Sequence, residues 1–430
     1  MDFGTTAFML VCSMLVLLMT PGLAFFYGGL ARRKNVGNTM LMVFTVIGIV
    51  AVTWMAFGWS FAYGGDGGNP FFGGFDQMFL LTTTSDLIVD LDPTSASGIA
   101  EGSELAYPPI VDIVFQMAFC MITVAIITGG VAGRMRFGAV VLFLAIWSVV
   151  VYPFLAHMVW GGEGSLIGGI IGALDFAGGD VVHISSGLTA LVLAVMVGKR
   201  HGFEVISYRP HNVPFIALGA ALLWFGWFGF NGGSEFAPDG IAGLALLNTV
   251  VASGAGVAAW LFTERLAVGK PTLVGAATGL VAGLVAITPA AGFVEPWAAI
   301  AMGLIVSPCC YFAISRMKRL VGYDDALDAF GCHCVGGIIG GVLTGVFCVP
   351  ELSWTDFGGL LYTGDPTLLG AQCLGIVVTV VFVGVCGVVL GFLVKLCFKG
   401  SLRVSPEAEA QGLDIAEHGE SAYPSFVGLD

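Results

Sequence analysis

All 16 lysines and arginines of this 430-residue chain fall in every second gap between long apolar runs. Arg32, Arg33 and Lys34 follow the first run, and Arg134 and Arg136 follow the third. Lys199, Arg200 and Arg209 follow the fifth, and Arg265 and Lys270 the seventh. Arg316, Lys318 and Arg319 follow the ninth, and Lys395, Lys399 and Arg403 close the eleventh. Each run is long enough to cross a hydrocarbon core of about 30 Å. Basic loops are retained on the cytoplasmic side. The alternation therefore predicts an all-α polytopic membrane protein with an outer N-terminus and a cytoplasmic C-terminus. Glycine-rich runs alone would also fit ten or twelve spans, and the charge pattern selects eleven. Their expected positions are 5–30, 37–63, 110–132, 138–159, 181–198, 213–231, 240–262, 272–290, 297–315, 334–349 and 368–397.

Composition agrees. Charged residues make up 10% and hydrophobic ones 57%, whereas soluble domains carry about 25% charge. The net charge of −13 reflects scarce bases, which argues against a nucleic-acid partner. Residues 1–10 lack a basic region and no small-residue cleavage site follows, so the first run reads as a retained span rather than a leader. The longest outer loop, 64–109, carries Asp66, Asp76, Asp86, Asp90, Asp92, Glu101 and Glu104 and no base. It reads as a solvated face that draws cations weakly. The ten cysteines nearly all lie in apolar runs and read as small buried hydrophobes. Cys332-His333-Cys334 invites a metal reading, but neighbours one and two apart on a helix face different ways. No metal or other cofactor is expected.

Ionisable groups inside spans are costly and are functional candidates by default. His183 opens the fifth run and His333 the tenth, 150 residues apart. An odd span count fits two five-span repeats of opposite topology, residues 1–200 and 210–350, plus a final helix at 366–399 and a tail at 400–430. Inverted repeats place a solute site between them at the midplane. A two-fold axis in the membrane plane would set these two helices antiparallel with their histidines adjacent. Each neutral imidazole both donates and accepts one hydrogen bond, which suits a proton path without a fixed charge. Asp175 lies ahead of Gly178-Gly179 and the fifth run, where it fits an N-cap. Gly275, Gly279, Gly283, Gly336, Gly337, Gly340, Gly341 and Gly345 read as close-packing residues. His157, His201, His211 and His418 carry less weight: the first ends a span and the others lie in basic loop or tail.

At this point several segments resemble one family. They are the stretch Asp175 to His183 with Gly187 and Leu191, Pro21 to Leu30, His157 to Gly162, Trp227 to Asn231, Thr288-Pro289-Ala290 and Phe330 to His333. In the tail, Gly412-Leu413-Asp414, His418-Gly419-Glu420 and Ala422-Tyr423 match as well. Together, and in order, they resemble the ammonium transporter (Amt/Mep/Rh) family, in its Amt branch. The resemblance implies a homotrimer with one pore per subunit and a transporter rather than an enzyme. It implies an outer recruitment site for ammonium at Trp160, Ser234 and Phe119 with Asp175 behind it, and a gate of Phe119 over Phe230. His183 and His333 would be the twin histidines of the pore, supported by Trp227, Thr288 and Phe115. Ammonium would be deprotonated, ammonia conducted along the histidines, and the proton relayed separately. The family also implies a cell-membrane location and a PII-type regulator at the cytoplasmic tail. Two departures stand out: a glycine-rich linker between Trp160 and Asp175, and cysteines flanking His333.

Three other readings compete. An ammonium sensor would use the same site with little flux. An intramembrane metalloenzyme would need Asp175, His183 and His333 as ligands, without a ligand pair on one helix face. A water or glycerol channel would need paired Asn-Pro-Ala half-helices, which the sequence lacks.

Overall fold

The computed structural model describes residues 2–65, 68–81, 107–203, 205 and 209–423. Of the acidic residues predicted in the 64–109 loop, only Asp76 falls among them, accepting the Gly65 N–H at 2.8 Å. Among the described residues, eleven helices are long and apolar enough to cross a membrane. They are Phe3–Leu30, Arg33–Tyr63, Pro109–Val131, Phe137–Trp160, Gly179–Val197, Val213–Gly233, Gly240–Val268, Leu273–Ala290, Pro296–Gly322, Phe330–Phe347 and Thr367–Cys397. Helices answer the central problem of lipid, where each backbone N–H and C=O must find its partner within the protein.

Several spans outrun their hydropathy. The seventh continues to Val268 and the ninth to Gly322, past Arg265, Arg316, Lys318 and Arg319. Apolar composition marks the lipid boundary, whereas hydrogen bonding continues into the interface, where long basic side chains reach water. The fourth span is interrupted at Val151, two residues before Pro153. Proline lacks the N–H that would continue the ladder.

The first span packs along the sixth through glycines. A Cβ added to Gly219 would stand 2.6 Å from the Cα of Phe26, so only glycine allows that approach. The fifth and tenth spans cross at two matching points. A Cβ on Gly187 would lie 2.5 Å from the Cys334 nitrogen, and one on Gly337 would lie 3.2 Å from the His183 Cβ. Each glycine sits four residues after a histidine, His183 or His333, one helical turn on and on the same face.

At the basic end, two short helices, Pro406–Gln411 and Leu413–His418, close the described chain. Asp414 accepts the Asn38 N–H at 2.8 Å, and the Leu413 N–H donates to Asn35 at 2.9 Å. Glu417 accepts the Phe137 N–H at 2.9 Å. Glu409 pairs with Arg403 at 2.7 Å and accepts the His201 N–H at 2.7 Å. The tail thus touches the start of the second and fourth spans and the loop after the fifth.

Candidate functional site

The fifth span begins with a wide turn, Gly179–Ile184, rather than a regular α-helical one. Asp175 holds it open. One carboxylate oxygen accepts the N–H groups of Gly178 at 2.8 Å and Gly179 at 2.6 Å. The other accepts those of Asp180 at 2.8 Å and Val181 at 3.4 Å. The first-turn amides of a helix lack intrahelical partners, and one side chain meets all four here. Burial pushes the Asp175 carboxyl up from its ordinary value, and the four amides work against that shift. Its carbonyl accepts the Trp160 indole N–H at 2.8 Å. Asp175 therefore lies behind the indole with its carboxylate fully engaged by backbone.

Trp160 stands edge-on to Phe119, with ring centroids 6.2 Å apart. Phe119 stacks on Phe230 at 4.1 Å and 20°, and both rings are buried. Phe115 leans on Phe119 at 4.8 Å. Ser234 ends the sixth span, its hydroxyl donating to the Phe230 carbonyl at 2.8 Å, which leaves the oxygen lone pairs available to an incoming donor. Glu235 follows at once, and burial together with the neighbouring Asp239 pushes its carboxyl up to about 7.

Below the stacked rings lies a narrow void of about 10 Å³ between Leu23, Ile122, Ile126, Leu223, Trp227, Phe230, His183 and His333. The two imidazoles face each other with Nδ1 atoms 3.3 Å apart and ring centroids 5.3 Å apart at 29°. His183 stacks beneath Phe230 at 6.1 Å and beside Trp227 at 5.4 Å. Trp227 is fixed by donating to the Thr288 hydroxyl at 2.9 Å. For the Nδ1 atoms to bond, one ring must donate and the other accept. Two neutral rings then hold opposite tautomers, so the two Nε2 atoms offer one N–H and one lone pair. Among the described residues, the His183 Nε2 has no hydrogen-bond partner.

Beyond His333, toward the basic end, the path opens into a cavity of about 200 Å³ lined by Phe26, Tyr27, Glu264, Asp328, Cys332 and His333 among others. Its entrance repeats the opposite one. Asp325 accepts the Phe330 N–H at 2.8 Å, at the head of a second wide turn, Phe330–Cys334. Burial pushes the Asp325 carboxyl up to about 6, Lys318 opposes this, and Asp328 adds to it. Asp324 binds Arg200 at 2.6 Å, and Asp328 binds Lys318 at 2.7 Å. Burial raises the Asp324 carboxyl, but Arg200 outweighs it and holds the group below its usual value.

The predicted set thus forms one column: Trp160, Ser234, Phe115, Phe119 and Phe230, then His183, His333, Trp227 and Thr288, with Asp175 behind. Asp325 is absent from that prediction, although its spacing to His333 equals that of Asp175 to His183. His157 stands apart from this column, its ring nitrogens 2.7 Å from the Ala62 carbonyl and 2.6 Å from the Asn69 carbonyl. There it ties the end of the second span and the following loop to the fourth span.

The family model described as the Ammonium Transporter Family matches residues 7–423. An ammonium transporter of Aquifex aeolicus is 47% identical over 428 residues, covering 98% of this chain and 94% of its own. One from Bacillus subtilis is 46% identical, with 98% and 99% covered. The crystal structure of Saccharomyces cerevisiae Mep2 superposes with a TM-score of 0.87 at 31% identity, covering 100% of this chain and 93% of that one.

Proposed function

This chain belongs to the ammonium transporter family, a family of multi-pass membrane transporters rather than enzymes, and from that premise we propose how its column of rings moves ammonium. Ammonium meets the faces of Trp160 and Phe119 by cation–π attraction and donates an N–H to Ser234. Asp175 serves indirectly, by fixing the indole and the turn that carries His183. Potassium has no hydrogen to donate, so the hydroxyl discriminates against it. The stacked Phe119 and Phe230 make passage as a bare ion costly. Removal from water disfavours the charged amine, and past the gate ammonium transfers its proton to the Nε2 lone pair of the imidazole pair, leaving ammonia. Ammonia then follows the void, where one Nε2 accepts from it and the other donates to it. The bonded Nδ1 atoms supply a path for the separated proton, which makes uptake electrogenic. The observation that carries this reading is the 3.3 Å contact between two buried imidazoles directly below a closed aromatic stack.

The positive-inside pattern supports a cytoplasmic tail and entry from the base-free side of the cell membrane. The matching entrances and glycine crossings support the division into repeats at 1–200 and 210–350, a last helix at 366–399 and a tail at 400–430. We further assign a homotrimer and a PII-type regulator at the tail on the family's account. A second reading, an ammonium sensor with little flux, draws on a solved structure named "Sensor Amt Protein", 28% identical with a TM-score of 0.84.

Current recording on protein-containing vesicles tests the transport reading. An ammonium pulse should evoke a current that an equal potassium pulse does not. A fast internal pH change without current would reduce the function to ammonia conduction. Neither response, with intact ammonium binding, would leave the sensor.

A further inference from the structure

The turn that presents Ser234 also carries a strained residue. Phe236 has φ +60°, a left-handed backbone that bulky side chains rarely adopt and that persists only where its surroundings hold it. Its N–H closes a tight turn on the Gly233 carbonyl at 2.9 Å. Its half-buried ring meets the edge of Phe115 with centroids 5.8 Å apart at 76°. Phe115 also packs closely on Gly233, where an added Cβ would stand 2.8 Å from its Cε2. It leans in turn on Phe119, which stacks on Phe230.

We infer that Phe236 is a positioning residue for the gate: the strained turn sets its ring against Phe115, and Phe115 in turn sets the distance of Phe119 from Phe230. A ring that only filled space would not require the left-handed conformation, which glycine or asparagine accepts far more readily. The same short turn therefore governs both the hydroxyl that selects ammonium and the closure of the stack beneath it. This inference rests on the transport reading above for its physiological meaning, but not for its test.

The test compares Phe236→Ala, Phe236→Gly and Phe236→Tyr in vesicles, reading ammonium current, potassium current and melting temperature. Losing the ring loosens Phe119, so the alanine and glycine variants should raise half-saturating ammonium by about tenfold and admit a potassium current absent from the wild type. The tyrosine variant should retain wild-type behaviour. Glycine and alanine both lose the ring but only glycine accepts the left-handed turn, so the glycine variant should melt no lower than the alanine variant while both lose selectivity, which separates positioning from stability. A glycine variant with normal half-saturation and no potassium current overturns the inference. So does one that melts below the alanine variant, since the turn would then not favour the residue free to adopt it. A wild type without ammonium current would fail the transport reading, and the potassium current would still decide the role of Phe236.

Discussion

Asp175 stands eight residues before His183, and Asp325 stands eight before His333. Each is followed three residues later by a left-handed residue, Gly178 at φ +116° and Asp328 at φ +64°. Each then opens a wide first turn that carries a histidine, His183 or His333. The environments differ. At the base-free entrance the carboxylate of Asp175 meets only backbone amides, beneath an indole and stacked phenyl rings. At the basic entrance the buried Asp325 has Lys318 and Asp328 as charged neighbours, Asp324 pairs with Arg200, and Asp328 rather than Asp325 lines a cavity of about 200 Å³. One backbone device thus serves two settings. On the transport reading proposed above, the first is the side where ammonium enters, closed by stacked rings with the acids Glu235 and Asp180 close by. The second is the side where ammonia leaves, with ion pairs and open space.

The largest expected effect breaks that comparison at its two acids. Asp175→Ala strands the four amides that hold the turn carrying His183, and should cut ammonium current by about hundredfold, whereas Asp325→Ala should cost about tenfold. Currents normalised to inserted protein measure both, and equal losses would deny that the first entrance is the more demanding one.

Acidity sharpens it next. The folded-state value of Asp325 is raised from 3.8 to about 6, so folding favours its protonated form. The stability it contributes is fully present below about pH 4 and is lost as pH rises through about 6. Asp325→Asn keeps the acceptor for the Phe330 N–H without that loss. It should be more stable than the wild type at pH 7–8, by on the order of 1–3 kcal/mol, with the advantage vanishing near pH 4. Thermal melts across pH measure this, and an advantage that does not change with pH would contradict the burial of that acid.

The glycine crossings differ in tightness. Gly187→Ala drives a Cβ against the Cys334 backbone, while Gly337→Ala meets Gly179 O at 3.0 Å. Overpacking should cost about 1–3 kcal/mol at Gly187 and less than about 1 kcal/mol at Gly337, read as melting temperatures in detergent. The smallest effect concerns Glu235, whose carboxyl gains its charge as pH rises through about 7. Wild-type half-saturation for ammonium should fall about twofold between pH 6 and pH 8 at low salt, relative to Glu235→Gln measured in the same buffers. Parallel pH profiles would remove Glu235 from recruitment.

Much of this is legible in the amino-acid sequence. The alternation of bases gave the span count, because charge placement and apolar length had to agree eleven times. The histidines were legible because imidazoles are rare within spans, and their spacing implied their meeting. The wide turns at Gly179 and Phe330 were not legible, since no local pattern distinguishes them from ordinary helix starts, and they arise from where a carboxylate captures amides. Asp325 was hidden by its neighbours: in Asp324-Asp325-Ala326-Leu327-Asp328 three acids compete, and only packing shows which one caps the helix. The strain at Phe236 was hidden too, because Ser234-Glu235-Phe236 reads as an ordinary loop.

The central claim is that the bonded imidazoles carry both ammonia and its separated proton. It is tested most directly by the ammonium-evoked current of His333→Gln beside the wild type in the same vesicles, with potassium as the control ion. Glutamine keeps a hydrogen-bonding side chain but cannot relay a proton at a ring. The account predicts that the ammonium current disappears or that potassium begins to pass. An unchanged ammonium current with potassium still excluded would contradict it.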